Sequence, residues 1–154
     1  MFEWMASKVA TSVTVLVIAA SFTGLFSMQA EYYRTLELED LADAFTDLVT
    51  EVDLLSCEAV VVLNWTDAKE SHGLPREFQG EPYMIELTRE RPFLTHQGVR
   101  VSGRYFPSEL VLIDDEGERV DLLEVASTTG LVIRSQTTWC DWGLDTALSV
   151  EPLR

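Results

Sequence analysis

One uncharged apolar run constrains this chain more than any other feature. From Val9 to Ala30, VATSVTVLVIAASFTGLFSMQA, no charged side chain occurs for 22 positions. A helix of about 20 residues covers the hydrocarbon core of a bilayer, so the run is a candidate membrane span. Directly afterwards the chain becomes one-faced. Leu38, Leu41, Phe45, Leu48, Val52 and Leu55 recur at alternating spacings of three and four, a heptad stripe. Gly24 is the only glycine before Gly73 and Pro75 is the first proline, so nothing obliges a helix to stop between Lys8 and Ser56. At the α-helical rise such an element runs roughly 70 Å.

Four segments follow. Residues 1–8 are a short tail, 9–30 a transmembrane helix, 31–56 an amphipathic stalk and 57–154 a β-rich head. Only about 100 residues lie beyond the helix, enough for one small domain. The stalk's polar positions, among them Glu37, Glu39, Asp40, Asp43, Asp47, Glu51 and Asp53, fall mostly off the stripe, leaving an acidic face. Phe45 to Leu55 is read as packing on the chain's own head. Tyr32, Tyr33, Leu36 and Leu38 have no sequence left to cover them, and are read as contacts for another subunit or as an interfacial aromatic belt. Ala20 and Gly24, four residues apart, let helices approach closely. The helix-packing set is therefore Ala20, Gly24, Leu36, Leu38, Leu41 and Phe45. The hydroxyls of Thr11, Ser12, Thr14, Ser21, Thr23 and Ser27 are read with that set, against the alternative that they bond back to their own helix.

From Cys57 the period changes. Ala59 to Leu63 is β-branched and apolar on both faces, as in a central strand. Tyr83 to Thr88 and Val99 to Ser102 read as strands, Phe93 to Thr95 as a short edge piece, and Leu131 to Arg134 and Leu148 to Val150 as two more. Glu109 to Ile113 and Glu118 to Leu123 flank Asp114-Asp115-Glu116-Gly117, a hairpin signal. Trp139 to Gly143 reads as a turn. The fold class is α+β: a long N-terminal helix, transmembrane and then amphipathic, followed by a small antiparallel sheet.

Charge excludes one class of partner. The 154 residues include 26 acidic and 11 basic side chains, a formal charge of −15, which repels phosphate backbones and argues against nucleic acid. Cys57 and Cys140, in a chain with an export-type segment, read as one disulfide closing a loop of more than 80 residues, the alternative being two buried thiols. Asn64-Trp65-Thr66 is a glycosylation sequon, or a turn beginning after the apolar run. Both features place the head outside the cell. An h-region from Val9 to Ala20 after Lys8 also fits a cleaved secretory signal.

No constellation for catalysis, cofactor or metal stands out, so the chain is read as a non-enzyme. Phosphate-loop, nucleophile-elbow and zinc-protease motifs are missing, and His72 and His96 stand apart in loop-like sequence. Asp114, Asp115, Glu116 and Glu118 lack EF-hand spacing and read as a solvated hairpin tip. Trp139 and Trp142 flank Cys140 and read as rings covering a disulfide rather than a sugar platform.

The order of parts, an apolar helix continued by an amphipathic half and a β-rich head with a late cysteine, resembles the type IV pilin superfamily, in particular archaeal pilin-like proteins. Helix Lys8 to Ser56 carries most of the likeness. Leu74-Pro75-Arg76 followed by Gly80 to Leu87 is similar to the first head strands of archaeal relatives. The resemblance implies a leader removed near Val9, Ala10 and Thr11, membrane lipid around the helix before assembly, and afterwards a filament core built with identical or related subunits. The basic-glycine pair before the apolar run and the acidic residue of many bacterial pilins have no counterpart here.

Overall fold

A computed structural model describes residues 2–55, 58–65, 67, 69–108, 110–140 and 143–153; the side chains of 2–7, 137–140 and 143–146 lie outside that description. The chain is α+β: among the described residues one long helix, α1 (Phe2–Asp53), is followed by nine strands. These are β1 (Ala59–Leu63), β2 (Met84–Thr88), β3 (Pro92–His96), β4 (Val99–Ser102), β5 (Leu110–Ile113), β6 (Arg119–Val120), β7 (Leu122–Ala126), β8 (Leu131–Cys140) and β9 (Gly143–Pro152). Two compact units run Met1–Leu36 and Glu37–Arg154.

In the second unit the strands make two sheets, ordered β1-β8-β9-β5-β6 and β4-β3-β2-β7. All pairings are antiparallel except β5 with β9, which run parallel through Leu110↔Leu148 and Leu112↔Val150. Period-two alternation decides which face each strand buries. Ile85 and Leu87 of β2, Leu94 of β3 and Leu123 and Val125 of β7 point inward, as do Leu131 and Ile133 of β8 and Leu148 and Val150 of β9. Leu38, Leu41, Ala42, Phe45, Val49 and Val52 of α1 join these in one apolar core. That burial is what fixes the stalk's stripe as helix, because a 3.6-residue period presents one face to a core.

Several strand expectations change. β1 is an edge strand, not a central one, and Val60 is exposed; a run apolar on both faces does not require burial on both. β3 is interior, paired on one side to β2 and on the other to β4. Glu118 to Leu123 is two strands rather than one, since the chain leaves the first sheet after Val120 and enters the second at Leu122, with Asp121 at the crossing. β8 and β9 each extend to ten residues, paired from Leu131↔Pro152 to Cys140↔Gly143, so most of the expected turn at 139–143 is ladder. Polar and β-branched residues such as Thr137 and Thr138 carry no apolar alternation, and there backbone pairing alone marks the strand.

Among the described residues three turns hold backbone that side chains rarely adopt, one of them at His72 (φ 50°) and Gly73 (φ 82°) and the other two between paired strands or bridged residues. Gln97 (φ 48°) and Gly98 (φ 81°) close the β3–β4 hairpin between paired His96 and Val99. Gln79 (φ 54°) and Gly80 (φ 85°) do the same between bridged Phe78 and Glu81. Two successive positive φ values make the tight turn whose twist suits antiparallel strands. The Asp114 hairpin forms as expected: its carboxylate accepts N–H groups of Glu116 and Glu118, each at 2.9 Å, and Gly117 (φ 87°) turns the chain.

Candidate functional site

The first unit is the apolar helix, which residue type and hydrogen bonding explain. Within the helix Ser12, Thr14, Ser21, Thr23 and Ser27 each donate to the carbonyl four residues back, at 2.8–3.0 Å. Their donors are thus consumed inside the helix, and none needs water. Five of the six hydroxyls therefore bond back to their own helix. Large apolar side chains from Val9 to Met28 stand 50–71% exposed, among them Val13, Leu16, Ile18, Phe22, Leu25 and Phe26. That is far more apolar surface than water tolerates in one patch. The helix is long and apolar enough to cross a membrane, and none of its most apolar window is buried within the chain.

Ala10, Thr11, Ala20 and Gly24 all lie on this helix. A Cβ built on Gly24 meets nothing within 4 Å, as on any stretch of helix exposed all round. A mid-helix glycine costs about 1 kcal/mol relative to alanine, and nothing inside the chain uses the space it leaves. Leu36, at 37%, and Tyr32 and Tyr33 are exposed. Leu38 is not. It is 0% exposed, buried with Leu41 and Phe45 (1%) in the core of the second unit, so these three pack on the chain's own head. The physical reason is their register on the helix face that the sheets cover.

The stalk is locked to the head by a polar clamp as well as by that core. The loop after β4 brings Gly103 and Arg104 against α1. The Arg104 N–H donates to Asp43 Oδ1 at 3.0 Å, and its guanidinium reaches Asp43 at 3.2 Å and Asp47 at 2.6 Å. The Ser108 hydroxyl donates to Asp53 at 2.8 Å. Gly103 sits where a Cβ would fall 2.8 Å from the Ala42 carbonyl oxygen, 2.8 Å from Pro92 Cγ and 3.0 Å from Thr46 Oγ1. Backbone cannot yield as a flexible tip does. Gly103→Val is expected to lower the head's unfolding free energy by about 1–3 kcal/mol, read as a shifted denaturation midpoint for the chain in detergent. An unchanged midpoint would mean that the helix does not rest on this loop.

A second lock holds the long connection between β1 and β2. Tyr83, 2% exposed, donates its phenol O–H to the Pro75 carbonyl at 2.8 Å, and the Ser127 hydroxyl donates to the Arg76 carbonyl at 2.6 Å while accepting the Tyr83 N–H at 3.1 Å. Burial pushes the Tyr83 phenol well above its ordinary pKa of 10.0, and the nearby Trp65 indole opposes that rise. The unfolded chain ionises first, so this stability is present below about pH 10 and is lost as pH climbs beyond it. Tyr83→Phe is expected to cost about 1 kcal/mol at neutral pH and to flatten the alkaline fall. Denaturant titrations at pH 7, 9 and 10.5 would check both.

Other sequence candidates are dispersed. Asn64 follows β1, half-buried, with its N–H on the Glu70 carbonyl at 3.0 Å and its own carbonyl accepting from Asp67 at 3.2 Å, while Thr66 of the sequon lies outside the described residues. Cys57 and Trp142 also lie outside them; Cys140 ends β8 with its side chain undescribed. His96 is not a loop residue. It ends β3, 2% exposed, edge-on to Phe78 at 5.0 Å, with Nε2 3.9 Å from a Glu81 oxygen. Among the described residues no group of three or more His, Cys, Asp or Glu is placed to hold a metal ion.

Fold and site together define a class: an α+β head on a helix long and apolar enough to span a membrane. Compared with family models, with curated proteins and with solved structures, the chain matches none.

Proposed function

We propose that this chain is a structural subunit of an extracellular filament of the type IV pilin kind. Its apolar helix anchors it in the membrane before assembly and packs against the same helix of identical or related subunits afterwards, with the head displayed outside the cell. The observation that carries this reading is Gly24, an unfilled notch in a helix exposed on every side. Lipid alone gains nothing from a missing side chain, whereas a second helix closing on Ala20 and Gly24 gains contact along both backbones.

A substitution separates anchoring from assembly. Gly24→Leu adds apolar surface, so insertion is expected to persist while filament yield falls by about tenfold or more, because a leucine there holds the backbones apart at every helix contact repeated along the fibre. Electron microscopy of sheared cell-surface material, with the chain identified in the filaments by mass spectrometry, measures this. Filaments of normal yield from the variant would remove the helix-packing basis. A second reading is a single-pass anchored head that binds a partner and never polymerises. It is favoured by the absence of a basic-glycine pair before the apolar run. Intact mass discriminates: a start near Ala10 or Thr11 supports the filament subunit, Met1 the anchor, and Glu31 a secreted head.

A further inference from the structure

The outer face of the sheet β4-β3-β2-β7 carries a stack of rings and guanidinium groups. Arg100 lies 4.2 Å over the Phe93 ring, and Arg91 lies 4.9 Å from the ring centres of both Phe93 and Tyr105. Strand register builds the stack. Pro92, Leu94 and His96 point inward, so Phe93 points out, and Arg100 stands opposite Thr95 on the adjoining strand. Tyr105, 63% exposed, follows from the loop that clamps the stalk. Positive charge is concentrated here: Arg89, Arg91, Arg100 and Arg104 are four of the chain's 11 basic residues, and Glu90 is the only acid between positions 89 and 104.

Three of these arginines are neutralised within the chain. Arg89 meets Asp121, Arg100 meets Glu86, and Arg104 meets Asp43 and Asp47. Among the described residues Arg91 has no carboxylate partner. A guanidinium held against two rings keeps its orientation and offers its N–H donors edge-on, the geometry for a forked carboxylate contact.

The complementary surface is on the same chain. Glu37, Asp40 and Glu51 are exposed, at spacings that place them with Asp47 along one face of α1, and make no ion pair among the described residues. Arg104 supplies the template for how this face binds arginine, its guanidinium lying between two acids one helical turn apart. We infer that the Arg91–Phe93–Tyr105 surface of one copy docks on the Glu37–Asp40 face of a second copy's stalk. Patch and counterpatch are different surfaces, so a copy that offers its patch to one neighbour and its stalk to another makes a head-to-tail contact that repeats along a filament. The inference rests on the filament reading for bringing copies side by side, and adds to it a polar contact between heads and stalks.

The test uses the full chain in liposomes at high density, an equal mixture of 15N-labelled and unlabelled protein carrying Arg91→Lys. That substitution keeps the charge and adds an amine that a carbodiimide couples to a touching carboxylate. The expected result is a cross-linked peptide of mixed isotope joining position 91 to the stalk. Combining Arg91→Glu with Asp40→Arg in separate chains should restore association that Arg91→Glu alone lowers about two- to fivefold. Cross-links confined to single chains, or none at position 91 while Lys69 couples normally, would overturn the inference. So would Arg91-dependent binding of polygalacturonate without interchain links, which assigns the surface to acidic glycan. Filaments that persist in Arg91→Glu, with no interchain link in the Arg91→Lys protein, would sink this contact and leave the filament reading standing. Interchain links in a chain that never forms filaments would do the opposite.

Discussion

Phe45→Ala is expected to remove about 3–5 kcal/mol of head stability, lowering the thermal midpoint by on the order of 10–20 °C. Phe45 is 1% exposed and belongs to one apolar core with Leu38, Leu41, Val49 and the inward residues of β2, β3, β8 and β9. The loss has two parts, the transfer free energy of a buried ring and the cavity left when strands pinned by ladder hydrogen bonds cannot collapse into it. A domain of this size has roughly 5–15 kcal/mol in hand, so the variant approaches global unfolding. Ala44→Ser, one residue away on the exposed side of the same turn, is the control and should change little. Near-ultraviolet circular dichroism of the detergent-solubilised chain reads the transition. A loss below about 1 kcal/mol would mean that the head folds without the stalk, since exposed substitutions have that size.

The apolar first half of the helix was legible from 22 uncharged residues, and the one-faced second half from the three-and-four spacing between Leu38 and Leu55. The division of labour along the stripe was not. Leu38 opens the stripe just above the apolar run, where no sequence remains to cover it, yet it is buried, because the core of the second unit extends along α1 far enough to include it. β2 and β4 are readable from their strand pattern and β5 from the hairpin signal at Asp114–Gly117, whereas β8 and β9 run on where apolar residues give way to Ser135, Gln136 and Thr137, held by backbone pairing. The Gln97-Gly98 turn went unread since glutamine is not a usual left-handed residue. The arginine–aromatic stack depends on pairings between strands, and spacing along the chain cannot show that positions 91, 93, 100 and 105 meet.

Val17→Asp is expected to abolish stable membrane association. Val17 lies near the middle of the uncharged run, exposed along its side chain, with no basic residue between Val9 and Ala30 to pair a carboxylate. Exchanging a favourable valine for an aspartate at a span's centre costs about 3–4 kcal/mol on insertion scales, a factor of several hundred in partitioning. Snorkelling offers little relief, because aspartate is short and the interface is more than two helical turns away in either direction. Flotation of the chain with liposomes on a density gradient reads the outcome. Val17→Leu should float like the parent, and Ala44→Asp, which adds the same charge to the exposed side of the stalk, should float as well. If Val17→Asp floats undiminished, lipid is not what residues 9–30 contact, and the apolar surface of this helix must be satisfied by protein alone.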